Sequence, residues 1–148
     1  MTTIIQSVTV SRPVEEVWDF VSNFENTTQW SPAVLEARQT SDGPLGIGST
    51  LQTVVKAFGR RRTADYLVTE YEPNRAFAFT VISGPMTSQA RYSVEPAGAG
   101  TRLTASGEAE ATGLYKLLAP ILLRTLKRHS REDLANLKRL LEASVPAN

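Results

Sequence analysis

Three observations predict an α+β fold, with a curved seven-stranded antiparallel sheet wrapped around one long C-terminal helix and two short helices between the first two strands. From Gly113 to Ala143 apolar residues recur at steps of three and four, the spacing of a helix face. From Val34 to Ala111 the chain is a series of short β-branched and aromatic runs, broken by Gly, Pro and Asn, as strands joined by turns are. Pro13, followed by Glu15 and Glu16, opens a helix directly after the first strand, because proline suits a first turn and carboxylates suit its positive end.

In order, Ile4 to Ser11 alternates and forms strand one, with Ile4, Gln6, Val8 and Val10 on one face. The helix after it has Ser11 or Arg12 as its cap and buries Val14, Val17, Trp18 and Val21; Ser22-Asn23 ends it. Phe24 to Trp30 holds two further turns, stopped by Ser31-Pro32. Strand two is Val34 to Thr40, strand three Thr50 to Ala57, strand four Thr63 to Tyr71. Strand five is Phe77 to Ile82, strand six Ser88 to Glu95, strand seven Arg102 to Ala111. The connections from strand three onward have hairpin length, so these strands form an antiparallel meander. Such a sheet keeps one face dry, and the last helix is what covers it.

About thirty helical residues span about 45 Å, which needs a broad surface beneath. Leu114, Leu117, Leu118, Ile121, Leu122 and Thr125 form one stripe, and Leu126, Leu134, Leu137 and Leu141 a second, rotated from the first. Pro120 lies within the pattern. It removes a backbone bond and crowds the preceding turn, so a kink or break is expected there, which would account for the rotation.

The totals narrow the function. The 148 residues fit one domain, 1–148. The net charge of +1 gives no global field for nucleic acid or membrane. With no cysteine there is no disulfide frame, thiolate metal site or cysteine nucleophile. No apolar run is long enough to span a membrane. The opening MTTIIQSVTV lacks the pattern of a signal peptide, so a cytoplasmic protein is expected. There is no metal-ligand spacing, phosphate loop or Ser-His-Asp set, and Gly46-Ile47-Gly48 opens no helix and is no dinucleotide fingerprint. No cofactor is expected.

Several segments resemble the START and birch-pollen-allergen superfamily, SRPBCC, and within it the bacterial polyketide cyclase/dehydrase and lipid-transport group. They are Val10 to Val21, Asn26 and Trp30, Gly46 to Ser49, Val68 to Arg75, Gly100 to Thr104 and Leu137 to Glu142. The resemblance covers nearly the whole chain and rests on turns, caps and core. It implies the helix-grip fold, with an apolar cavity between sheet and last helix. Its motifs are scaffold motifs and carry no activity by themselves.

Within such a cavity the lining residues expected are Trp30, Phe79, Tyr92, Leu118, Leu122 and Thr125, with Phe24 and Tyr66 beside them. Met86 is placed as a lid at a hairpin tip. The first reading is a binding protein for a hydrophobic or amphipathic small molecule, monomeric or a homodimer. The second is a cyclase or aromatase in the same cavity, using His129, Tyr92 and Arg91. His129 is the only histidine and the only side chain that ordinarily titrates near neutrality, but a general base needs an orienting partner, which the sequence does not locate. Adjacent on a strand, Arg91 and Tyr92 must face opposite ways, and Tyr92 is expected inward because an unpaired buried arginine is the costlier choice. The carboxylate pairs Glu70/Glu72 and Glu108/Glu110 read as solvent-facing strand sides. The third reading is an interaction module using Arg60, Arg61 and Arg62 with the basic outer side of the last helix. No aromatic interleaving supports nucleic acid as the partner.

Overall fold

The computed structural model describes residues 2–57, 59–83, 87–110 and 117–143. Strand β1 (Thr2–Val10) leads into α1 (Val14–Ser22), a 3-10 turn (Phe24–Asn26) and α2 (Thr27–Trp30). Then come β2 (Val34–Gln39), β3 (Thr50–Ala57), β4 (Arg60–Glu72), β5 (Ala76–Ser83), β6 (Thr87–Ala97) and β7 (Gly100–Glu110), and α3 (Ala119–Ala143) closes the order. The sheet has the order β1-β7-β6-β5-β4-β3-β2, and every neighbouring pair is antiparallel. This is the expected helix-grip arrangement. Met86 and Leu114, named above for a lid and the first stripe, lie outside the described residues.

Local chemistry explains the element ends. Pro13 keeps an extended backbone and occupies the N-cap position of α1 itself, with no side-chain cap bond, so neither Ser11 nor Arg12 caps the helix as expected. Glu15 and Glu16 are in its first turn, and Val17, Trp18 and Val21 are buried. Asn74 takes the left-handed conformation (φ 62°) in the β4–β5 turn, which asparagine tolerates. Gly100 starts β7 against the end of β1, where an added Cβ would overlap the Val10 carbonyl oxygen.

The corner where β1, β7 and α3 meet is stapled by polar bonds. The buried Thr101 donates to the Arg12 carbonyl (2.7 Å), and Arg12 Nε donates to the Leu141 carbonyl (2.9 Å) near the end of α3. The Ser11 N–H donates to Glu142 (2.9 Å), and Lys138 Nζ donates to both the Thr9 carbonyl (2.6 Å) and Glu142 (2.9 Å). Around this corner Val10, Val17, Trp18, Val21, Trp30, Phe77, Val94, Leu103, Leu134, Leu137 and Leu141 form one core cluster. Phe24, Leu51 and Val68 form a second.

Helix α3 corrects the expectation about its two stripes. It begins at Ala119, so Pro120 sits in its first turn, where the missing N–H has no partner to lose. Within α3 Pro120 therefore stands at the start, and Leu117 and Leu118 of the first stripe lie in the 3-10 turn before it. The side turned to the protein is Leu123, Leu126, Ser130, Leu134, Leu137 and Leu141, at steps of three and four, all buried or half-buried. Leu117, Leu118 and Ile121 are instead 84%, 44% and 65% exposed. Ile121 and Ser130 are nine residues apart, which at about 100° per residue places them on opposite sides. We therefore expect Leu137→Ala to cost about 2–5 kcal/mol and Ile121→Ala less than about 0.5 kcal/mol, measured by urea denaturation. Equal costs would contradict this orientation.

Candidate functional site

The concave face of the sheet carries a row of rings. Phe77, Phe79 and Tyr92 stack with one another, Phe77–Tyr92 at 5.5 Å between centroids. Tyr66 meets Phe79 edge-on at 5.3 Å, Phe24 meets both, and Trp30 meets Tyr92 at 6.0 Å. The strand pleat produces the row, since alternate residues of β4, β5 and β6 share the inner face. The Tyr66 and Thr53 hydroxyls share a hydrogen bond of 2.9 Å, and burial raises the Tyr66 pKa.

Between this row and α3 lies a pocket of about 160 Å³, lined by Trp30, Tyr92, Ala105, Leu126, His129, Ser130, Asp133 and Leu134. A second pocket of about 200 Å³ shares Tyr92, Ala105, Leu126 and Ser130 with it and extends past Ala90 and Gly107 to Ile4. Small side chains on both walls leave this space: Ser130 interrupts the leucine stripe, and Ala90, Ala105 and Gly107 stand on the strands.

Polar groups gather in the smaller pocket. Ser31 Oγ, just past α2, donates to Asp133 Oδ2 (2.7 Å), and Asn136 donates to the Trp30 carbonyl (3.3 Å). These bonds tie the end of α2 to the middle of α3. His129 stands four residues before Asp133, one turn away on the same helix. Among the described residues the buried Trp30 indole N–H has no hydrogen-bond partner. Burial raises the Asp133 carboxyl above the ordinary carboxylate value, while the Ser31 hydroxyl and the nearby His129 pull it down. Burial also pushes the Tyr92 hydroxyl far up, so at neutral pH it is a protonated donor.

Of the sequence candidates, Trp30, Tyr92 and His129 meet in one pocket, and Phe24, Tyr66 and Phe79 continue the ring row beside it. Leu118 is part-exposed and is not in either pocket. The Thr125 hydroxyl donates to the Ile121 carbonyl (3.0 Å) within the helix. The Leu122 side chain lies outside the described part of the structure. Arg91 faces the outer side of the sheet and binds Glu70 there (2.9 and 3.3 Å); that bond holds the Glu70 carboxyl below its ordinary value. Arg91 is therefore not brought together with Tyr92 and His129. Arg61, of the arginine triplet, pairs with Glu36 (2.7 Å). Sequence reasoning missed Asp133, Ser31 and Ser130. The four-residue spacing of His129 and Asp133 was the available signal.

The sequence model of the family described as polyketide cyclase / dehydrase and lipid transport matches residues 1–142. The chain belongs to this family. None of the curated proteins matches the chain. Solved structures share its fold at low identity. A protein from Thermus thermophilus superposes with a TM-score of 0.84 at 16% identity, over 98% of this chain and 100% of its own. An aromatase/cyclase from a Streptomyces species gives 0.80 at 19%, over 99% and 96%. A START superfamily protein from Mycobacterium smegmatis gives 0.71 at 22%, over 97% and 96%.

In the family's grip between sheet and helix, Asp133 is the group whose titration reports the pocket. Its folded pKa is raised, so its contribution to stability is fully present below the unfolded pKa and is lost as pH rises through the folded value. Asp133→Asn is expected to flatten that decline in denaturation curves taken across the acid range. Ser31→Ala is expected to raise the Asp133 titration midpoint further, read by carboxyl carbon NMR. An unmoved midpoint would contradict the bond between them.

Proposed function

We propose that this protein binds a hydrophobic or amphipathic small molecule, as a carrier or sensor, in the pocket between the ring row and α3. The observation that supports this reading is the character of the pocket walls. Leu126, Leu134, Ala105 and the Trp30 ring offer apolar surface, while Asp133, His129 and Ser130 of α3 and Tyr92 of β6 line the same pocket as polar groups. Apolar walls with a few convergent polar groups are what a binding site needs: the walls gain from displacing water and the polar groups orient the ligand. Drug-sized ligands occupy about 300–1,000 Å³, so the smaller space here suits a compact molecule of one or two rings. Membership of a cyclase/dehydrase and lipid-transport family supports the same reading.

A second reading, an enzyme of the cyclase or aromatase type, is favoured by Tyr92, His129 and Asp133 meeting in one pocket. A protonated Tyr92 could donate to a carbonyl oxygen while the His129–Asp133 turn takes a proton from the adjacent carbon, the step that begins an enolisation. The aromatase/cyclase among the structural relatives makes this the natural enzymatic alternative. Both readings place the molecule against Ala105.

The test is native mass spectrometry of the protein isolated from its own host, with solvent extraction of what it holds. We expect an apolar compound in the natural protein and its loss in Ala105→Trp, which fills the pocket from β7, with thermal unfolding still cooperative. A compound retained by a folded Ala105→Trp protein would overturn the assignment of the pocket. A compound converted to a product differing by a ring closure or one water would select the enzymatic reading.

A further inference from the structure

The outward side of α3 carries an arrangement that neither pocket nor core explains. Ile121, Arg124 and Arg128 follow one another at steps of three and four, which places them on one side of the helix, and Leu117 stands in the 3-10 turn just before it. That side is opposite the buried stripe through Ser130 and Leu134. Leu117 and Ile121 are 84% and 65% exposed, and Arg124, Lys127, Arg128 and Arg131 are all exposed. From residue 117 to residue 131 the chain has no Asp or Glu, against a net charge of only +1 for the whole chain. Four cations therefore stand together on the first half of one helix, with no carboxylate before Glu132, directly behind the exposed apolar residues.

We infer that the outward side of the first half of α3, with the turn that leads into it, docks on an anionic lipid bilayer surface, with Leu117 and Ile121 entering the interface and Arg124 and Arg128 meeting the phosphates. An apolar patch continued by cations on a helix is the chemistry of interfacial binding, and each cation near an anionic surface adds attraction. Among the described residues no helix is long and apolar enough to cross a membrane, so the contact is peripheral. A second copy of the chain fits the same ridge poorly, because pairing it with itself sets Arg124, Lys127, Arg128 and Arg131 against each other with a single carboxylate, Glu132 one turn past Arg128, beside them. The ridge faces away from the pocket, so docking does not depend on what the pocket holds.

Co-sedimentation of the full chain with vesicles tests this. Binding is expected to vesicles of phosphatidylcholine mixed with phosphatidylglycerol, to be weak on phosphatidylcholine alone, and to fall as salt rises. Arg124→Gln with Arg128→Gln is expected to lower it about thirty-fold, at about 1 kcal/mol per cation. Leu117→Gln with Ile121→Gln is expected to lower it more than about tenfold, since each removes a buried apolar side chain. These positions are exposed, and circular dichroism checks that each variant folds. Absence of binding to the anionic vesicles overturns the inference. So does binding by both double variants that equals that of the natural protein, or a salt-sensitive dimer that the arginine variants abolish in place of vesicle binding.

Discussion

The clamp of the C-terminal half of α3 onto the corner between β1 and β7 is the constraint on which the rest depends. Leu134, Leu137 and Leu141 supply the apolar contact. Arg12, Lys138 and Glu142 tie the helix end to the chain around Thr9 to Ser11. Thr101, fully buried, holds the Arg12 carbonyl. A long helix fixed at its end has its direction set there, so the first half follows without being buried. The exposed apolar residues at its start are a consequence of that geometry.

The pocket follows from the same clamp. Where the helix passes Tyr92 and Trp30, the residue facing the sheet is Ser130, between Leu126 and Leu134. The facing strand positions are Ala105 and Gly107. A leucine at 130 and larger residues on the strands would have filled the space, as they do one turn later at Leu134 and Leu137. Asp133 enters at this level, half-buried and held by Ser31. The link from α2 to α3 thus brings Asp133, a carboxyl raised by burial, to one wall of the pocket.

Much of the architecture was legible because turns and strands leave local signs. Gly-, Pro- and Asn-rich breaks at hairpin distances marked the meander, and the alternation in β6 separated Tyr92 from Arg91. Part of the ring row was legible too, in Phe79, Tyr92, Tyr66 and Phe24, but Phe77, which stacks between them, was not singled out. The direction of α3 was not legible. Two stripes competed, and the choice between them is made by contacts more than a hundred residues apart in sequence, such as Arg12 to Leu141. Pro120 read as a kink only because the helix was assumed to begin before it. Ser31 escaped for the same reason, as its bond to Asp133 joins residues 102 apart, and Asp133 had only its four-residue spacing from His129 to mark it.

The most direct test of the account uses the two tryptophans, labelled as 5-fluorotryptophan and followed by fluorine NMR while naphthalen-1-ol is added. Trp30 lines the pocket, and Trp18 is packed against Tyr71 and Phe77 on the other side of the core cluster. The account predicts a saturable shift of the Trp30 resonance, with Trp18 nearly still. Movement of Trp18 alone, or of neither resonance at probe levels that saturate Ala105-dependent binding, would contradict it.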